Sequence, residues 1–399
     1  MGLALMRDTG RPQKVWQRQT QLLQTEQDER EQFRSLSSAV ERASTVIFPD
    51  VAALRQRDWR DDDQYAYGLS GTPTSRRLAR RIALLEGGDH CLLLPSGLAA
   101  ISLTMLSLLK SGERLLLPEN AYEPAIDFAR FLQSQYAVGV DFYDPLDLDS
   151  VRFTPATRLL WVETPGSVSM EMADLPALCR LAKTYGALVA VDATWAASIA
   201  MRPLELGADI SIQALTKYQS GGSDVLLGSI ASRDRQLHQR LKLTHMQSGT
   251  GVSPEDCNLV LRSLPHYKLR YLAQDAAARK IAGWLRQQAA VAAVLHPALA
   301  DSPGHDIWRR DCSAAASLFS IVFRPHIPQP AIDRFVDQLQ LFHIGFSWGG
   351  SHSLALPFDM RKIRSSWPYA GGLVRLYIGL EEADDLIADL EQALTLLQT

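Results

Sequence analysis

The chain has only four cysteines in 399 residues, Cys91, Cys179, Cys257 and Cys312, and no Cys-x-x-Cys pair. That excludes a zinc ribbon and a thioredoxin-like redox motif. It leaves buried free thiols in a reducing compartment as the plain reading. Neither sign of charge is in excess: 41 Lys and Arg stand against 44 Asp and Glu, a net charge of −3. Broad nucleic-acid surfaces need a basic excess, so no nucleic-acid partner is expected. No apolar run nears the roughly 20 residues of a membrane helix. The short apolar start, Met1 to Met6, runs into charged residues, unlike a secretory leader. A cytoplasmic protein without a membrane partner is therefore expected. Internal repeats and low-complexity tracts are also lacking. At 46% hydrophobic and 21% charged residues the composition is globular, and the length suits two or three domains.

What is present divides into three stretches. Residues 1–65 read as an N-terminal arm or helical segment. Within it, residues 1–45 are rich in Gln, Arg and Glu and look solvated rather than core-forming. Thr74 is placed to cap a helix that runs through Glu86 and is closed by Gly87-Gly88. From residue 90, short apolar runs alternate with helical stretches. Strands are expected at 90–94, 113–117, 138–143, 158–163, 187–192, 209–213 and 225–231, with helices near 97–110, 122–135 and 174–185. Several runs are apolar throughout, as strands buried on both faces should be. This pattern predicts an α/β fold: a seven-stranded, mainly parallel sheet covered by helices, within a large domain at 66–265. Residues 233–288 read as mostly helical, with a long amphipathic stretch from Lys268 to Gln287. Apolar runs at 291–296, 317–323 and 373–378 and a last helix at 383–397 then predict a smaller C-terminal α+β domain, 266–399.

Ligands of open α/β sheets sit beyond the carboxyl ends of the strands. Six places there carry chemistry, each with a plainer reading beside it. Ser96-Gly97-Leu98 opens a helix, where free N–H groups favour a phosphate, although such turns need small residues anyway. Asp192 ends a buried strand and suits a cationic ring nitrogen, or a helix cap. Lys217, in Thr216-Lys217-Tyr218, follows an apolar run. Burial would lower its pKa, as an imine-forming amine needs; otherwise its stem packs and its amine reaches water. Tyr122 could stack on a flat cofactor, or be an ordinary half-buried aromatic. Arg375 could clamp a carboxylate, or pair with Glu381 or Glu382. Ser347-Trp348-Gly349-Gly350 combines a flat wall with backbone freedom, or is a packed turn. Together they form a phosphate cradle, a pyridine-nitrogen partner, an imine lysine, a stacking ring and a carboxylate clamp. Pyridoxal phosphate requires that set.

The sequence resembles the Cys/Met-metabolism pyridoxal-phosphate enzymes, and among them the bacterial cystathionine β-lyases. The resemblance runs from about Val40 to Leu397. It is carried by Leu85-Glu86-Gly87-Gly88, Asn120-Ala121-Tyr122-Glu123-Pro124, Glu163-Thr164-Pro165-Gly166-Ser167, Val191-Asp192-Ala193-Thr194-Trp195-Ala196, Ser211 to Tyr218, Phe346 to Gly350, and Arg375 to Glu381. It implies a fold-type I enzyme, a homotetramer built as a pair of dimers with active sites shared between subunits. By resemblance, Lys217 carries the cofactor as an imine and acts as the catalytic base. Asp192 pairs with the ring nitrogen, and Tyr122 stacks over the ring and serves in catalysis. Ser96, Gly97, Leu98, Thr194 and Thr216 bind the cofactor, chiefly its phosphate. Tyr67 reaches the neighbouring subunit's phosphate and the substrate. Arg375, with Ser347 and Trp348 beside it, binds the substrate carboxylate. The reaction implied is β-elimination from L-cystathionine to homocysteine, pyruvate and ammonia.

Two departures stand out. Relatives often read Tyr-x-Arg from the position of Tyr67, and here the third residue is Leu69, so a trans phosphate clamp would be weaker or be supplied by Arg76 or Arg77. Relatives also often have Gly-His-Ser-Asp where this chain has Gly221-Gly222-Ser223-Asp224. γ-Acting relatives tend to carry Glu-Ser-Leu-Gly-Gly in place of Phe346-Ser347-Trp348-Gly349-Gly350, which favours β-elimination here. A broader cysteine-conjugate lyase, a γ-acting enzyme and a catalytically idle relative remain as alternatives.

Overall fold

The computed structural model describes residues 16–23, 35–364 and 366–397. Of the expected arm at 1–65, residues 1–15 and 24–34 lie outside them. The first described piece, the helix Arg18–Leu23, is not wholly solvated: Leu22 is 1% exposed and packs with Leu78, Ile82 and Leu85.

The helix Pro73–Glu86 begins two residues earlier than the sequence suggests, because Thr72 is its cap. Proline is favoured at the first helical position, where its missing N–H costs nothing. The expected cap, Thr74, instead donates its hydroxyl to the Glu41 carboxylate over 2.8 Å. Gly87 closes the helix in the left-handed conformation, as expected.

Seven strands form the large sheet: β1 (His90–Leu94), β2 (Arg114–Pro118), β3 (Gly139–Tyr143), β4 (Thr157–Glu163), β5 (Leu188–Asp192), β6 (Ile210–Ala214) and β7 (Gly228–Ser232). Their order is β1-β7-β6-β5-β4-β2-β3. Strand β7 alone runs antiparallel to both neighbours; the other pairs are parallel. The predicted sheet is therefore present. The last strand is displaced from 225–231: Val225 and Leu227 are buried in a loop, packed with Leu93 and Leu215, and pairing starts only at Gly228.

The helix Pro254–Leu285 joins the two units and runs continuously through the expected boundary at 265/266. Its first half, Cys257 to Tyr267, packs on Leu78 and Ile82. Its second half, Ala278 to Leu285, packs on the small sheet. That sheet is four-stranded and antiparallel, in the order β10-β11-β9-β8, built from β8 (Val291–Leu295), β9 (Leu318–Phe323), β10 (Leu354–Phe358) and β11 (Leu373–Tyr377). β10 escaped the sequence reading. It carries Pro357 and lies at the sheet edge, the place where a strand tolerates a residue without an N–H.

This topology decides where chemistry gathers. β1, β2, β4, β5 and β6 share one direction, so Ser96-Gly97, Tyr122, Glu163, Asp192 and Lys217 all emerge at the same edge of the sheet. The small sheet contributes Arg375 from β11 and the loop that carries Ser347 and Trp348.

Candidate active site

Lys217 lies just beyond β6. Its Nζ donates a 2.7 Å hydrogen bond to Ser347 Oγ and stands 5.3 Å from the centre of the Trp348 ring. Burial lowers its pKa to about 8, with Arg375 adding to the shift and Asp192 opposing it. A lysine so placed spends an appreciable fraction of time as the free amine near neutrality. The 347–350 loop is pressed against it. A Cβ on Gly349, whose φ is +90°, would lie 2.6 Å from the Lys217 carbonyl carbon, so only glycine fits there. Ser347 itself has φ +92°, a strained value for a residue with a side chain.

Asp192 ends β5 and stands in register with Glu163 at the end of β4. One Asp192 oxygen accepts both the Thr194 hydroxyl (2.6 Å) and the Thr194 N–H (3.1 Å). Thr194 Oγ1 in turn accepts the Ala214 N–H over 2.9 Å, tying β5 to the residue three before Lys217. Burial raises the Asp192 pKa against these hydrogen bonds and the attraction of Lys217. Among the described residues no Lys or Arg forms an ion pair with it, so a protonated ring nitrogen would relieve a buried, unpaired carboxylate. Glu163, to which the sequence reading gave no role, accepts the Tyr122 N–H over 2.6 Å. Burial and then Asp192 push its carboxyl well above the usual range. The signal was its position at a strand end, shared with Asp192.

Arg375 is 8% exposed, and its Nη1 donates to the Ser167 carbonyl over 3.2 Å. Its guanidinium lies 4.9 Å from the centre of the Phe358 ring. Burial pulls its pKa to about 10, against Tyr122 and Glu163. The plainer alternative fails, because Glu381 accepts the N–H and hydroxyl of Ser353 instead. No carboxylate pairs with Arg375 among the described residues, which leaves it able to take one from a ligand.

The turn after β1 has the expected form. Ser96 caps the helix Gly97–Leu108 by accepting the Ala99 N–H. The N–H groups of Gly97 and Leu98, at the first two helical positions, have no acceptor within the helix. A Cβ on Gly97 would lie 2.6 Å from Ala214 Cβ, so glycine is what lets this turn approach β6. Thr216 is nearby, but its hydroxyl is engaged with the backbone of Leu227, accepting its N–H (3.0 Å) and donating to its carbonyl (3.2 Å).

Tyr67 is not part of this cluster within one chain. It is half exposed, at a turn bridged to Thr45. Leu69 is beside it. Of the two arginines considered as a substitute clamp, Arg76 is engaged, whereas the buried Arg77 Nη1 makes no hydrogen bond among the described residues. Arg76 donates to the carbonyls of Asp62 and Gln64 and stacks on Tyr65 at 3.9 Å, and Arg77 lies 3.9 Å from the Glu41 carboxylate. The second departure has a steric side: a Cβ at Gly222 would lie 2.5 Å from Asp224 Oδ1. A cavity of about 550 Å³ opens on the Thr216, Ser347 and Trp348 side, also lined by Phe346, His343 and His352. A separate cluster joins Asp62 to His238 (3.1 Å) and to Lys242, with the His90 and His238 rings stacked at 4.6 Å, and anchors the loop before Tyr67.

These residues fit a phosphorylated pyridine aldehyde: an amine for the aldehyde, a lone carboxylate for the nitrogen, and backbone donors for the phosphate. The fold and site define a pyridoxal-phosphate-dependent enzyme of fold type I. The sequence profile of the Cys/Met metabolism PLP-dependent enzymes matches residues 19–395, and the chain belongs to that family. It is 40% identical over 360 residues to a cystathionine beta-lyase of Bordetella avium, covering 88% of this chain and 90% of that one. It is 34% identical to the cystathionine beta-lyase MetC of Escherichia coli, covering 93% and 96%. A solved cystathionine gamma synthase from Xanthomonas oryzae pv. oryzae, in complex with cystathionine, superposes with a TM-score of 0.88 at 29% identity, covering 96% and 99%. No helix among the described residues is long and apolar enough to cross a membrane.

Proposed function

We propose that the protein is a carbon–sulfur β-lyase that cleaves L-cystathionine to homocysteine, pyruvate and ammonia. One observation carries the reading: a lysine amine lowered to about 8 is held by Ser347 against Trp348, with the unpaired Arg375 close by. Its kinship to cystathionine beta-lyases supports the same choice, as does the apolar Phe346 where γ-acting relatives tend to carry glutamate.

When bound, pyridoxal phosphate supplies the electron sink that makes a substrate Cα–H acidic. The chain's own groups do the rest. The Gly97 and Leu98 N–H groups would hold the phosphate, joined by Thr216 once its hydroxyl turns from the Leu227 carbonyl. Thr194 fixes Asp192 where it would keep the ring nitrogen protonated. Tyr122 would stack on the ring. Arg375 takes the substrate α-carboxylate through its fork. Lys217 Nζ removes the proton from Cα, and the Ser347 hydrogen bond keeps that amine in place. Lys217 or Tyr122 returns a proton to the leaving sulfur, while Trp348 walls the amine from water. We read the active form as an oligomer with shared sites, a homotetramer by kinship. The exposed apolar residues Ile47, Val51, Tyr67 and Leu69 on one N-terminal segment support this. The four free cysteines fit a reducing, cytoplasmic setting.

The test is product identification after incubating cofactor-loaded protein with L-cystathionine. Pyruvate with homocysteine is expected. Cysteine with 2-oxobutyrate would place the protein in the γ-acting branch. Neither product, but turnover of other cysteine thioethers, would make it a broader lyase.

A further inference from the structure

Arg364 is one of the most heavily paired cations outside the reacting centre. It lies in the segment between β10 and β11 and is 5% exposed. Its guanidinium meets three carboxylates of the large-sheet unit: Glu119 at 3.1 Å, Asp144 at 3.3 Å, and Glu171. Glu171 is itself 4% exposed. A lone structural ion pair needs one partner. Here Glu171 is buried with the arginine, while Glu119 and Asp144 close it off at the half-exposed rim, with 30% and 40% of their side chains open. Burying the Arg364–Glu171 pair is costly unless the geometry serves a purpose.

The contacts beyond Glu171 show where this clamp leads. The other Glu171 oxygen accepts Asn120 Nδ2 (3.2 Å) and the Ser169 hydroxyl (2.8 Å). The Glu171 carbonyl accepts the Gly166 N–H (3.1 Å), and the Asn120 carbonyl accepts the Ser167 N–H (3.2 Å). The Ser167 carbonyl is the group that Arg375 holds. Asn120 is two residues before Tyr122. The segment that carries Arg364 starts after Phe358, whose ring lies against the Arg375 guanidinium. Arg375 thus meets both Phe358 and Ser167. Ser167 is tied to Arg364 through Glu171 and Asn120, and Phe358 lies six residues before Arg364 in the same chain segment.

We infer that Arg364 is a positioning residue for substrate binding: it latches the β10–β11 segment of the small sheet to the loops at 119–122 and 166–171, and so sets Arg375 where a substrate carboxylate arrives. Arg364 bonds to neither Lys217 nor Asp192. Its network leads through Glu171 and Gly166-Ser167 to Arg375 and through Asn120 toward Tyr122, and only the first route would discriminate a substrate carboxylate from an amide. The inference rests on the reading above only in giving Arg375 the substrate carboxylate.

The experiment uses cofactor-loaded protein and two non-thioether probes, L-alanine and L-alaninamide, followed by the change in cofactor absorbance. The amide has no carboxylate for Arg375 to grip. In Arg364→Gln, L-alanine should bind about tenfold more weakly and alaninamide less than about twofold more weakly. Cofactor affinity of the same variant should stay within about twofold. Arg364→Lys should recover part of the loss, because an ammonium keeps the charge but cannot bridge three carboxylates. With thioether substrate, KM should rise about tenfold while kcat stays within about threefold. Equal losses for both probes, or no loss for either, would overturn the latch. Should Arg364→Gln not hold the cofactor, Glu171→Gln decides by the same two probes and should show the same selectivity. Wild-type protein that binds both probes alike would instead overturn the role of Arg375 itself.

Discussion

Lys217 Nζ donates a 2.7 Å hydrogen bond to Ser347 Oγ, joining the large sheet to a loop of the small one across 130 positions of sequence. Ser347 accepts that bond from a strained backbone, with φ at +92°. Strain of this kind costs on the order of 1–3 kcal/mol and persists only where surrounding structure enforces it. Here Gly349 pressed on the Lys217 backbone enforces it. Ser347→Ala should lower kcat by about tenfold or more, with little change in cofactor affinity. Lys217→Ala should abolish elimination while circular dichroism stays that of the wild type. A Lys217→Ala protein with wild-type turnover would refute the assignment of the lysine.

The lowered pKa of Lys217 predicts a pH signature in cofactor-free protein. The free amine accumulates as pH rises through about 8. The rate of pyridoxal phosphate capture should therefore climb with pH and level off above about 8. The stability effect has a definite sign. The folded pKa lies below the unfolded value of about 10.4, so burying Lys217 costs stability below pH 8 or so, and the cost fades as pH rises toward 10. A capture rate that stays flat between pH 6 and 9, at about constant ionic strength, would contradict this.

Gly97→Ala should be harmful, although alanine is normally the better helix former. Its Cβ would lie 2.6 Å from Ala214 Cβ, so the phosphate turn must lift from β6. Overpacking of this kind costs about 1–3 kcal/mol. Thermal melting of the cofactor-free protein should fall, and pyridoxal phosphate should bind more weakly. Unchanged melting would show that the turn can yield.

Asp62 anchors the loop that leads to Tyr67. Burial alone would raise its pKa, but hydrogen bonds from His238 and Lys242 outweigh that and hold it well below the usual carboxylate range. A depressed folded pKa gives stability that is present above the unfolded value, about 3.9, and is lost as pH falls through the folded one. Asp62→Asn should therefore melt earlier than wild type at pH 7, and the gap should narrow below about pH 4. Paired melting curves at the two pH values check it. A gap of equal size at both would assign the effect to packing instead.

Much of this was legible in the residues. Strands such as Leu159 to Val162 and Val189 to Val191 are apolar throughout, because helices cover both faces of the sheet, and that alone announced a mainly parallel α/β core. Lys217, Asp192 and Gly97 were marked by standing just after such runs. Local chemistry was harder to place where two neighbouring residues could serve alike. Thr72 and Thr74 both suit a helix cap, and Pro73 decided between them. β10 was missed because five residues with a proline look the same as a loop until a partner strand supplies their hydrogen bonds.

By itself the sequence determined most element types, the order of those strands along the chain and the residue kinds at each strand end, since these follow from periodicity and local propensity. The family came from the resemblance of its motifs. Only the tertiary structure decided which of those residues meet. Arg375 was equally suited to Glu381 until the small sheet turned it toward Ser167 and left Glu381 to Ser353. Glu163 became the neighbour of Asp192 through the parallel register of β4 and β5. Arg364, unremarked in its loop, acquired three carboxylates from distant segments. Contacts of this kind join residues tens to hundreds of positions apart. They depend on how two sheets and their loops pack, which no local pattern encodes.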